Sequence, residues 1–115
     1  MEDLNRLCAF FDPEVELRQR SGLVGTGTYR GHDGLVQAAR DLADAFGVVE
    51  FAVARYFDKA NLVVTDVHVR ASGRTTALET EIRIGHVFEL RDGRVARWTV
   101  YPNFPDALEA VGLSE

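Results

Sequence analysis

The hydrophobic pattern changes its period from 3.6 to 2 near residue 48, and this change limits the fold more than any other feature. Apolar and polar residues alternate through four segments, at positions 48–58, 61–71, 75–91 and 94–101. Three pairs of residues interrupt the alternation: Lys59-Ala60, Ser72-Gly73 and Asp92-Gly93. Asp-Gly between alternating segments is typical of a two-residue hairpin, because both positions must accept positive φ. The pattern predicts four consecutive antiparallel strands.

The preceding part of the chain carries helical periodicity. After the segment 31–34, apolar residues recur on one helical face: Leu35, Ala38, Ala39, Leu42, Ala43 and Phe46. Gly47 supplies a C-terminal stop. The helix has to bury its apolar face, and one face of the predicted strands is the only large apolar surface in the pattern. We therefore expect an α+β fold in which a strongly bent antiparallel sheet has helices on one side.

The two ends of the chain predict shorter elements. Asp3 can cap a short helix, and Pro13 limits that helix because the residue before a proline avoids the α region. A strand is expected over 15–20, followed by a glycine-rich loop over 21–27. Beyond the last strand, positions 106–112 predict a closing helical turn.

Length and charge argue against several classes of protein. The chain has 115 residues, which predicts a single domain over positions 1–115. Its formal net charge is −5, so no nucleic-acid partner is expected, because a nucleic-acid-binding face is basic. No apolar run reaches the roughly 18 residues of a membrane helix, and the acidic N-terminus is no secretory signal, so we expect no membrane association and a cytoplasmic location. Twelve arginines against one lysine indicate a GC-rich bacterial genome.

The residue spacing predicts neither a metal site nor a cofactor. The single Cys8 cannot form an internal disulfide. No two of His32, His68 and His86 have the short spacing at which one strand or helix supplies two metal ligands. The serines lie in predicted loops or in the tail, and none has the G-x-S-x-G context of a hydrolase nucleophile.

Hairpin geometry assigns side chains to the two faces of the predicted sheet. If Asp92-Gly93 is a two-residue turn, eight residues share one face: Ile84, His86, Phe88, Leu90, Val95, Arg97, Thr99 and Tyr101. In this register His86 lies opposite Thr99. A two-residue turn at Ser72-Gly73 assigns Val63, Thr65, Val67 and Val69 to the same face. A single β-bulge would reverse every assignment beyond it.

A group of polar side chains is expected within this apolar face. His86, Arg97, Thr99 and Tyr101 would lie together, and a buried arginine needs either a partner or a wet cavity. The group therefore predicts the polar end of a ligand pocket. The alternative is structural, since a lone histidine on an apolar strand is more often a core residue bonded to a neighbour. The remaining residues expected to line the pocket are Phe88, Ile84, Tyr56 and Glu50, the last two from a hairpin at Lys59-Ala60.

Two stretches of the sequence resemble a known family. Tyr29-Arg30-Gly31-His32-Asp33-Gly34 is similar to the helix opening of the SnoaL-like group, and 91–101 with 106–113 is similar to the ending of that group. The group belongs to the superfamily named after nuclear transport factor two, which also holds ketosteroid isomerases and small epoxide hydrolases. The resemblance covers nearly the whole chain. It implies a cone (a cystatin-like α+β barrel) in which a curved sheet wraps helices around an internal pocket.

The resemblance also carries two departures. Family members usually begin with a longer helix across the mouth of the cone, so the first helix is expected to be shortened or missing. The pocket would then be more open, or a partner subunit would cover it, or the start codon is misassigned. In polyketide-cyclase members the resemblance implies a histidine on the penultimate strand, matched by His86, and a catalytic aspartate on the last strand, where Thr99 stands. A threonine hydroxyl cannot replace a carboxylate as a general acid or base.

Two functions are compatible with these residues. The first is a binding domain for a small apolar or anionic organic ligand, whose polar end His86, Arg97, Thr99 and Tyr101 would hold. The second is an isomerase, cyclase or dehydratase that removes a proton next to a carbonyl. His86 would then be the catalytic base, kept neutral by burial and by Arg97, and Arg97 with Tyr101 would stabilise the oxyanion. Glu50 is the alternative base.

A homodimer is the expected assembly. The predicted outer face of the sheet carries Trp98 together with Val87, Val64 and Val100, and an exposed tryptophan on a sheet indicates a contact surface. Relatives in the superfamily often form dimers. We therefore expect two subunits to pair through the outer sheet face near Val87 and Trp98.

Overall fold

Among the described residues, a curved, open sheet of six strands carries two helices longer than one turn. The computed structural model describes residues 6, 8–20, 27–73 and 79–113. Its elements are β1 Phe11–Gln19, β2 Gly27–Arg30, α1 Gly31–Ala45, β3 Val48–Lys59, β4 Leu62–Ser72, β5 Glu79–Arg91, β6 Arg94–Tyr101 and α2 Phe104–Ala110. The strand order is β2-β1-β6-β5-β4-β3, with β1 parallel to β6 and all other neighbours antiparallel. The predicted α+β fold with a curved sheet is confirmed.

The short helix expected after Asp3, and with it the shortened first helix of the family, falls largely outside the described residues. Phe11 already begins β1, so this strand starts earlier than expected and includes Pro13. Most of the expected loop over 21–27 also lies outside the described residues. Within the described part, no helix is long and apolar enough to cross a membrane.

The turn from β2 into α1 explains why the stretch 29–34 has its composition. Gly31 has φ +71, which a residue with a Cβ rarely adopts, and a Cβ on Gly34 would lie 3.0 Å from the carbonyl carbon of Tyr29. The hydroxyl of Tyr29 donates to Asp41 Oδ2 at 2.6 Å, which ties β2 to the second half of α1. His32 Nε2 donates to the carbonyl oxygen of Phe11 at 2.9 Å. These contacts are architectural, because they join β2, α1 and β1.

Each face of the sheet packs against one of the two helices. We call them the α1 face and the α2 face. The core on the α1 face consists of Cys8, Phe11, Val15, Leu17, Leu35, Val67, Val69, Ile84 and Val100. The core on the α2 face consists of Val64, Val87, Phe104, Ala107 and Leu108. Helices therefore lie on both sides of the sheet, whereas the sequence predicted them on one side.

Helix α2 confirms the predicted closing helical turn and lies close to β5. The side chain of Asn103 caps its start by accepting a hydrogen bond from the backbone of Asp106 at 2.8 Å. Gly112, with φ +78, ends the helix by donating to the carbonyl of Glu109. A Cβ on Gly85 would come within 2.7 Å of both Ala107 Cβ and Asn103 O, so only glycine permits this contact.

The β4–β5 connection is longer than expected, but the faces are as expected. Ser72 pairs with Glu79, so 73–78 connect the strands and Ser72-Gly73 is not a two-residue turn. The observed pairing of β4 with β5 differs from the predicted pairing by an even number of residues. Because side chains alternate between the faces with a period of two, each side chain keeps its predicted face. Val63 therefore lies opposite Phe88, and Thr65 lies opposite His86, on the face that the pattern predicted.

A β-bulge at Ala96 overturns the predicted faces of β6. Leu90 pairs with Val95 as expected for an Asp92-Gly93 hairpin, but Glu89 pairs with Arg97. The extra residue reverses every side chain beyond it. The apolar side chains of Trp98 and Val100 thereby lie on the α1 face. The polar side chains of the strand lie on the α2 face: Arg97, Thr99 and Tyr101. Burying the apolar members of the strand instead of an arginine is the energetically favourable choice.

A second bulge, at Ala54, divides β3 in the same way. The hairpin turns at Ala60-Asn61, with Lys59 opposite Leu62, instead of at Lys59-Ala60. Tyr56 pairs with Thr65 and lies on the α1 face, as predicted. Glu50 pairs with Arg70 beyond the bulge and lies on the α2 face, so its predicted position beside Tyr56 is wrong.

Candidate functional site

His86 lies on the α1 face of β5, surrounded by aromatic rings. The residue is buried, with 7% of its surface exposed. The imidazole meets Trp98 edge-on with the ring centroids 5.2 Å apart, and Phe88 edge-on at 5.8 Å. Phe88 and Trp98 stack on each other at 5.4 Å. Thr65 is the neighbour of His86 on β4, and Val100 is its neighbour on β6.

Burial alone determines the charge of this histidine. Removal from water disfavours the imidazolium and lowers the pKa of His86 to about 4. The ring is therefore neutral at pH 7, with one nitrogen that donates and one that accepts. Arg97, which the sequence predicted beside His86, lies on the other face and has no part in this shift.

Two buried polar atoms next to His86 have no hydrogen-bond partner among the described residues. They are the Thr65 hydroxyl oxygen and the indole nitrogen of Trp98. Thr65 is 8% exposed. An unpaired buried donor or acceptor costs about 1–3 kcal/mol, so a ligand that bonded both atoms would recover that cost. The site thus offers an indole N–H donor, a hydroxyl that can donate or accept, and a neutral imidazole.

Apolar side chains extend this polar cluster towards the edge of the sheet. Phe51, Val53 and Tyr56 lie on the α1 face of β3 and are 51%, 60% and 67% exposed. Tyr56 is in the same cross-strand row as Thr65 and His86. Helix α1 packs against β1 and β2 at the opposite edge of the sheet, so neither described helix covers this apolar strip.

The structure divides the predicted site residues between two faces. His86, Phe88, Ile84 and Tyr56 lie together on the α1 face. The other four, Arg97, Thr99, Tyr101 and Glu50, lie on the α2 face. Convergence of an imidazole, a guanidinium and two hydroxyls is therefore wrong, and the physical reason is the pair of bulges at Ala54 and Ala96.

Arg97 already has a partner on its own face. Its Nη1 lies 3.3 Å from Glu89 Oε2 on the neighbouring strand, so it does not require a ligand to neutralise it. Val100 instead of Thr99 is the β6 residue beside His86. The β6 side chain that faces His86 is thus apolar, and Thr99, which stands where the resemblance implies a catalytic aspartate, lies on the α2 face.

Sequence reasoning assigned one central site residue to the wrong face. Trp98 was expected on the outer face, and Thr65 was assigned to the inner face without a role. The signal for Trp98 was available: a shift of one residue on β6 exchanges Arg97 and Thr99 for Trp98 and Val100 on the apolar face. Preferring the register that buries the larger apolar side chains would have found it.

The predicted dimer surface does not exist as one surface. Val87 is 8% exposed and belongs to the core beneath α2, together with Val64. Trp98 and Val100 point to the opposite face. An interface near both Val87 and Trp98 is therefore wrong.

Within the described residues, no group of three or more histidine, cysteine, aspartate or glutamate side chains could hold a metal ion.

Solved structures share this fold at low sequence identity. TerC, co-crystallised with polyporic acid, is 19% identical, with a TM-score of 0.78 over 89% of this chain and 80% of its own. A protein of ketosteroid isomerase-like fold from Catenulispora acidiphila DSM 44928, in complex with trimethylamine, is 12% identical, with a TM-score of 0.77 over 98% and 85%. A putative SnoaL-like polyketide cyclase from Jannaschia sp. CCS1 is 13% identical, with a TM-score of 0.71 over 85% and 70%.

The sequence itself matches a family profile. No curated protein matches the chain. The profile described as the SnoaL-like domain matches residues 2–98, which include α1, Thr65 and the three rings of the His86 cluster. Together with the six-stranded curved sheet, this match makes the chain a member of the SnoaL-like domain family.

Proposed function

We propose that the α1 face binds a small, largely apolar organic molecule with a carbonyl or hydroxyl group. One observation supports this proposal: in the part of the chain that the structure describes, the Trp98 N–H and the Thr65 hydroxyl are buried beside His86 without a partner. A carbonyl oxygen accepts from an indole N–H, and a hydroxyl exchanges hydrogen bonds with threonine and imidazole. The exposed strip of Phe51, Val53 and Tyr56 supplies an apolar wall.

The polar end of the ligand is expected to be neutral. Burial keeps His86 uncharged at pH 7, and Arg97 is on the other face of the sheet. An anionic group would therefore lose its hydration without gaining a cation, which is unfavourable. TerC was crystallised with polyporic acid and a ketosteroid isomerase-like protein with trimethylamine, so this fold accommodates small organic molecules of different chemistry.

The properties of His86 support ligand binding better than they support catalysis by proton abstraction. A general base works best when its pKa is near the operating pH, and burial holds the pKa of His86 at about 4. The neighbouring Val100 supplies no carboxylate. A neutral imidazole of low basicity is suited to orienting a ligand through hydrogen bonds, and we assign this role to His86.

The single tryptophan provides a direct measurement of ligand binding. Acetophenone, a neutral aromatic ketone, is the first probe, and we expect it to quench Trp98 fluorescence saturably. Thr65→Val keeps the shape of the side chain and removes the hydroxyl. We expect about three- to tenfold weaker binding, the effect of one hydrogen bond. The same variant should unfold at a higher temperature without ligand, because it removes an unsatisfied buried group.

Thr99→Val is the matched control for this experiment. It also removes one threonine hydroxyl from a buried position, but on the α2 face. The affinity for acetophenone should not change. Equal losses in Thr65→Val and Thr99→Val, or no saturable quenching in the parent protein, would contradict a binding site for this probe on the α1 face.

We further propose that a second copy of the chain pairs through β3. This strand is 12 residues long and lies at the edge of the sheet, with only β4 as a neighbour among the described strands. A long, exposed, apolar edge strand readily pairs with another strand. A second copy offers matching backbone groups and the same apolar strip of Phe51, Val53 and Tyr56, which makes a symmetric contact self-complementary.

Val53→Lys is expected to convert the dimer into a monomer in sedimentation velocity. The substitution introduces a charge at the centre of the strip on each copy, and two like charges would face each other across the two-fold axis. Ala52→Lys is the control, because Ala52 is also exposed on β3 but points to the α2 face. A monomeric parent protein at micromolar concentration would refute the dimer, and equal disruption by both variants would refute this interface.

A further inference from the structure

The α2 face carries a groove where β1, β6 and β5 meet the end of α2. Its volume is about 180 Å³. Three arginines, Arg18, Arg20 and Arg97, line it together with the hydroxyl-bearing residues Thr99 and Tyr101. Three of these five residues were predicted to bind an anion on the other face. The bulge at Ala96 has moved them together, so they still share one surface.

The strand register explains how these side chains converge. Arg18 on β1 is the Cα partner of Thr99 on β6. Two residues further along, the backbone N–H of Arg20 donates to the carbonyl of Val100 at 3.0 Å, which sets Arg20 beside Tyr101 at the end of β6. Two cationic side chains from β1 therefore lie next to two hydroxyl-bearing side chains from β6.

The groove has more positive than negative charge. Arg18 Nε is paired with Glu16, and Arg97 Nη1 lies 3.3 Å from Glu89. Arg20 has no ion pair within the described part of the chain. Neither the Thr99 nor the Tyr101 hydroxyl forms a hydrogen bond there. Two carboxylates thus offset three guanidinium groups, and two hydroxyl donors remain available.

The rest of the groove is lined by Glu89, which pairs with Arg97, and by an apolar wall. The apolar wall consists of Leu62, Val87, Ala110 and Val111. The last two belong to the C-terminal end of α2, where the helix dipole is negative and disfavours an anion. A ligand with an anionic end would therefore direct that end towards β1 and its apolar part towards α2.

We propose that this groove binds a small organic carboxylate, independently of the ligand on the α1 face. The guanidinium groups of Arg18 and Arg20 pair with the carboxylate, since arginine matches a planar carboxylate with paired hydrogen bonds. Thr99 and Tyr101 add hydroxyl donors. The apolar body of the ligand packs against Val87 and Val111. A cavity of this volume is below the range of about 300–1,000 Å³ for drug-sized ligands, so the carboxylate is of the size of benzoate.

Benzoate and benzamide form a matched pair of probes, because they share the ring but differ in charge. Titration of the full chain is followed by calorimetry and by backbone amide chemical shifts. We expect saturable benzoate binding with shifts at Thr99, Tyr101 and Val111, and at least tenfold weaker binding of benzamide. Arg20→Gln should weaken benzoate binding by about tenfold, the effect of one charge-assisted pair. Arg40→Gln removes the same charge from the exposed surface of α1 and should have no effect.

Each other outcome would overturn the proposal. Equal binding of benzoate and benzamide, or the absence of saturable benzoate binding, would remove the anion site. Equal losses in Arg20→Gln and Arg40→Gln would indicate a nonspecific charge effect. Amide shifts confined to Thr65, His86 and Trp98 would assign benzoate to the α1 face. Inorganic phosphate that binds as tightly as benzoate would refute the role of the apolar wall.

Discussion

Replacing both Arg55 and Arg83 with methionine is expected to lower the free energy of unfolding by about 3 kcal/mol. Asp66 is completely buried on the α2 face. Its Oδ2 accepts hydrogen bonds from Arg55 Nε at 3.2 Å and from Arg83 Nη2 at 2.5 Å. Removing both cations leaves a buried carboxylate without a counter-charge, which costs about 3–5 kcal/mol. We expect the lower end of that range, because both arginine side chains are half exposed to water.

The double variant should also destabilise α2 locally, because Arg55 contacts the first residue of this helix. Its guanidinium lies over the ring of Phe104, 4.8 Å from the centroid, and Phe57 stacks on the same ring at 5.8 Å. Phe104 begins α2 and belongs to the core beneath it. Amide exchange should therefore accelerate most at α2 in the double variant.

A third substitution tests whether the buried charge is the cause. Adding Asp66→Leu to the double variant removes the carboxylate, and we expect most of the lost stability to return, because apolar replacement of a buried ionic group is often neutral or stabilising. Arg70→Met is the surface control. Arg70 lies 3.7 Å from Glu81 with both side chains more than half exposed, so its loss should change stability by about 0.5 kcal/mol or less. Urea denaturation that gives the double and the triple variant the same deficit would contradict this explanation.

Acidification from pH 7 to pH 4 is expected to cost about 3 kcal/mol of stability through His86 alone. Burial lowers the pKa of this histidine from 6.5 to about 4 in the folded protein. Below pH 6.5 the unfolded chain binds a proton at His86 that the folded chain does not bind. Stability is therefore complete above pH 6.5 and falls as the pH decreases towards 4. A shift of about 2.5 pKa units corresponds to roughly 3 kcal/mol.

The contribution of His86 is measured by comparing the stability of the parent protein with that of His86→Leu as a function of pH. His86→Leu has no titrating group at this position, so its stability should change less between pH 7 and pH 4. Hydrogen bonds also lower the pKa values of Asp12, Glu16 and Asp41, but these groups are present in both proteins and cancel in the comparison. Parallel stability curves for the two proteins would mean that the histidine is accessible to protons in the folded state. Bound ligand on the α1 face should deepen the difference, because it bonds the neutral imidazole.

Adjacent residues of β6 contribute to two separate candidate sites. Trp98 borders the His86 cluster on the α1 face, and Thr99 lines the arginine groove on the α2 face. Side chains on a strand alternate between faces, so neighbours in sequence lie on opposite sides of the sheet. Thr65 and Asp66 on β4 show the same division: the hydroxyl lies beside His86, and the carboxylate lies beneath Arg55 and Arg83. Substitutions at consecutive positions should therefore affect different ligands.

The elements and the family could be read from the residues alone, because local chemistry decides them. The alternation after residue 48 predicted β3 to β6, Asp92-Gly93 predicted the last hairpin, and the apolar stripe from Leu35 predicted α1. A strand pattern needs only a period of two, and a helix needs only a period of 3.6. The motif at 29–34 led to the correct family for a similar reason, because local backbone geometry requires its glycines. A Cβ on Gly34 would crowd Tyr29, and a Cβ on Gly31 would crowd the backbone of Pro13 on β1.

Only the tertiary structure decided which residues share a face. Inserting one residue at Ala96 or Ala54 changes the local pattern very little, yet it reverses every side chain beyond it. The choice depends on burial against segments distant in sequence: Trp98 stacks on Phe88 and packs near Phe11, while Arg97 reaches Glu89. Local alternation carries no information about these partners. The chain alone therefore determined the strands, the helices and the family, whereas packing across the sheet decided that one predicted site is two.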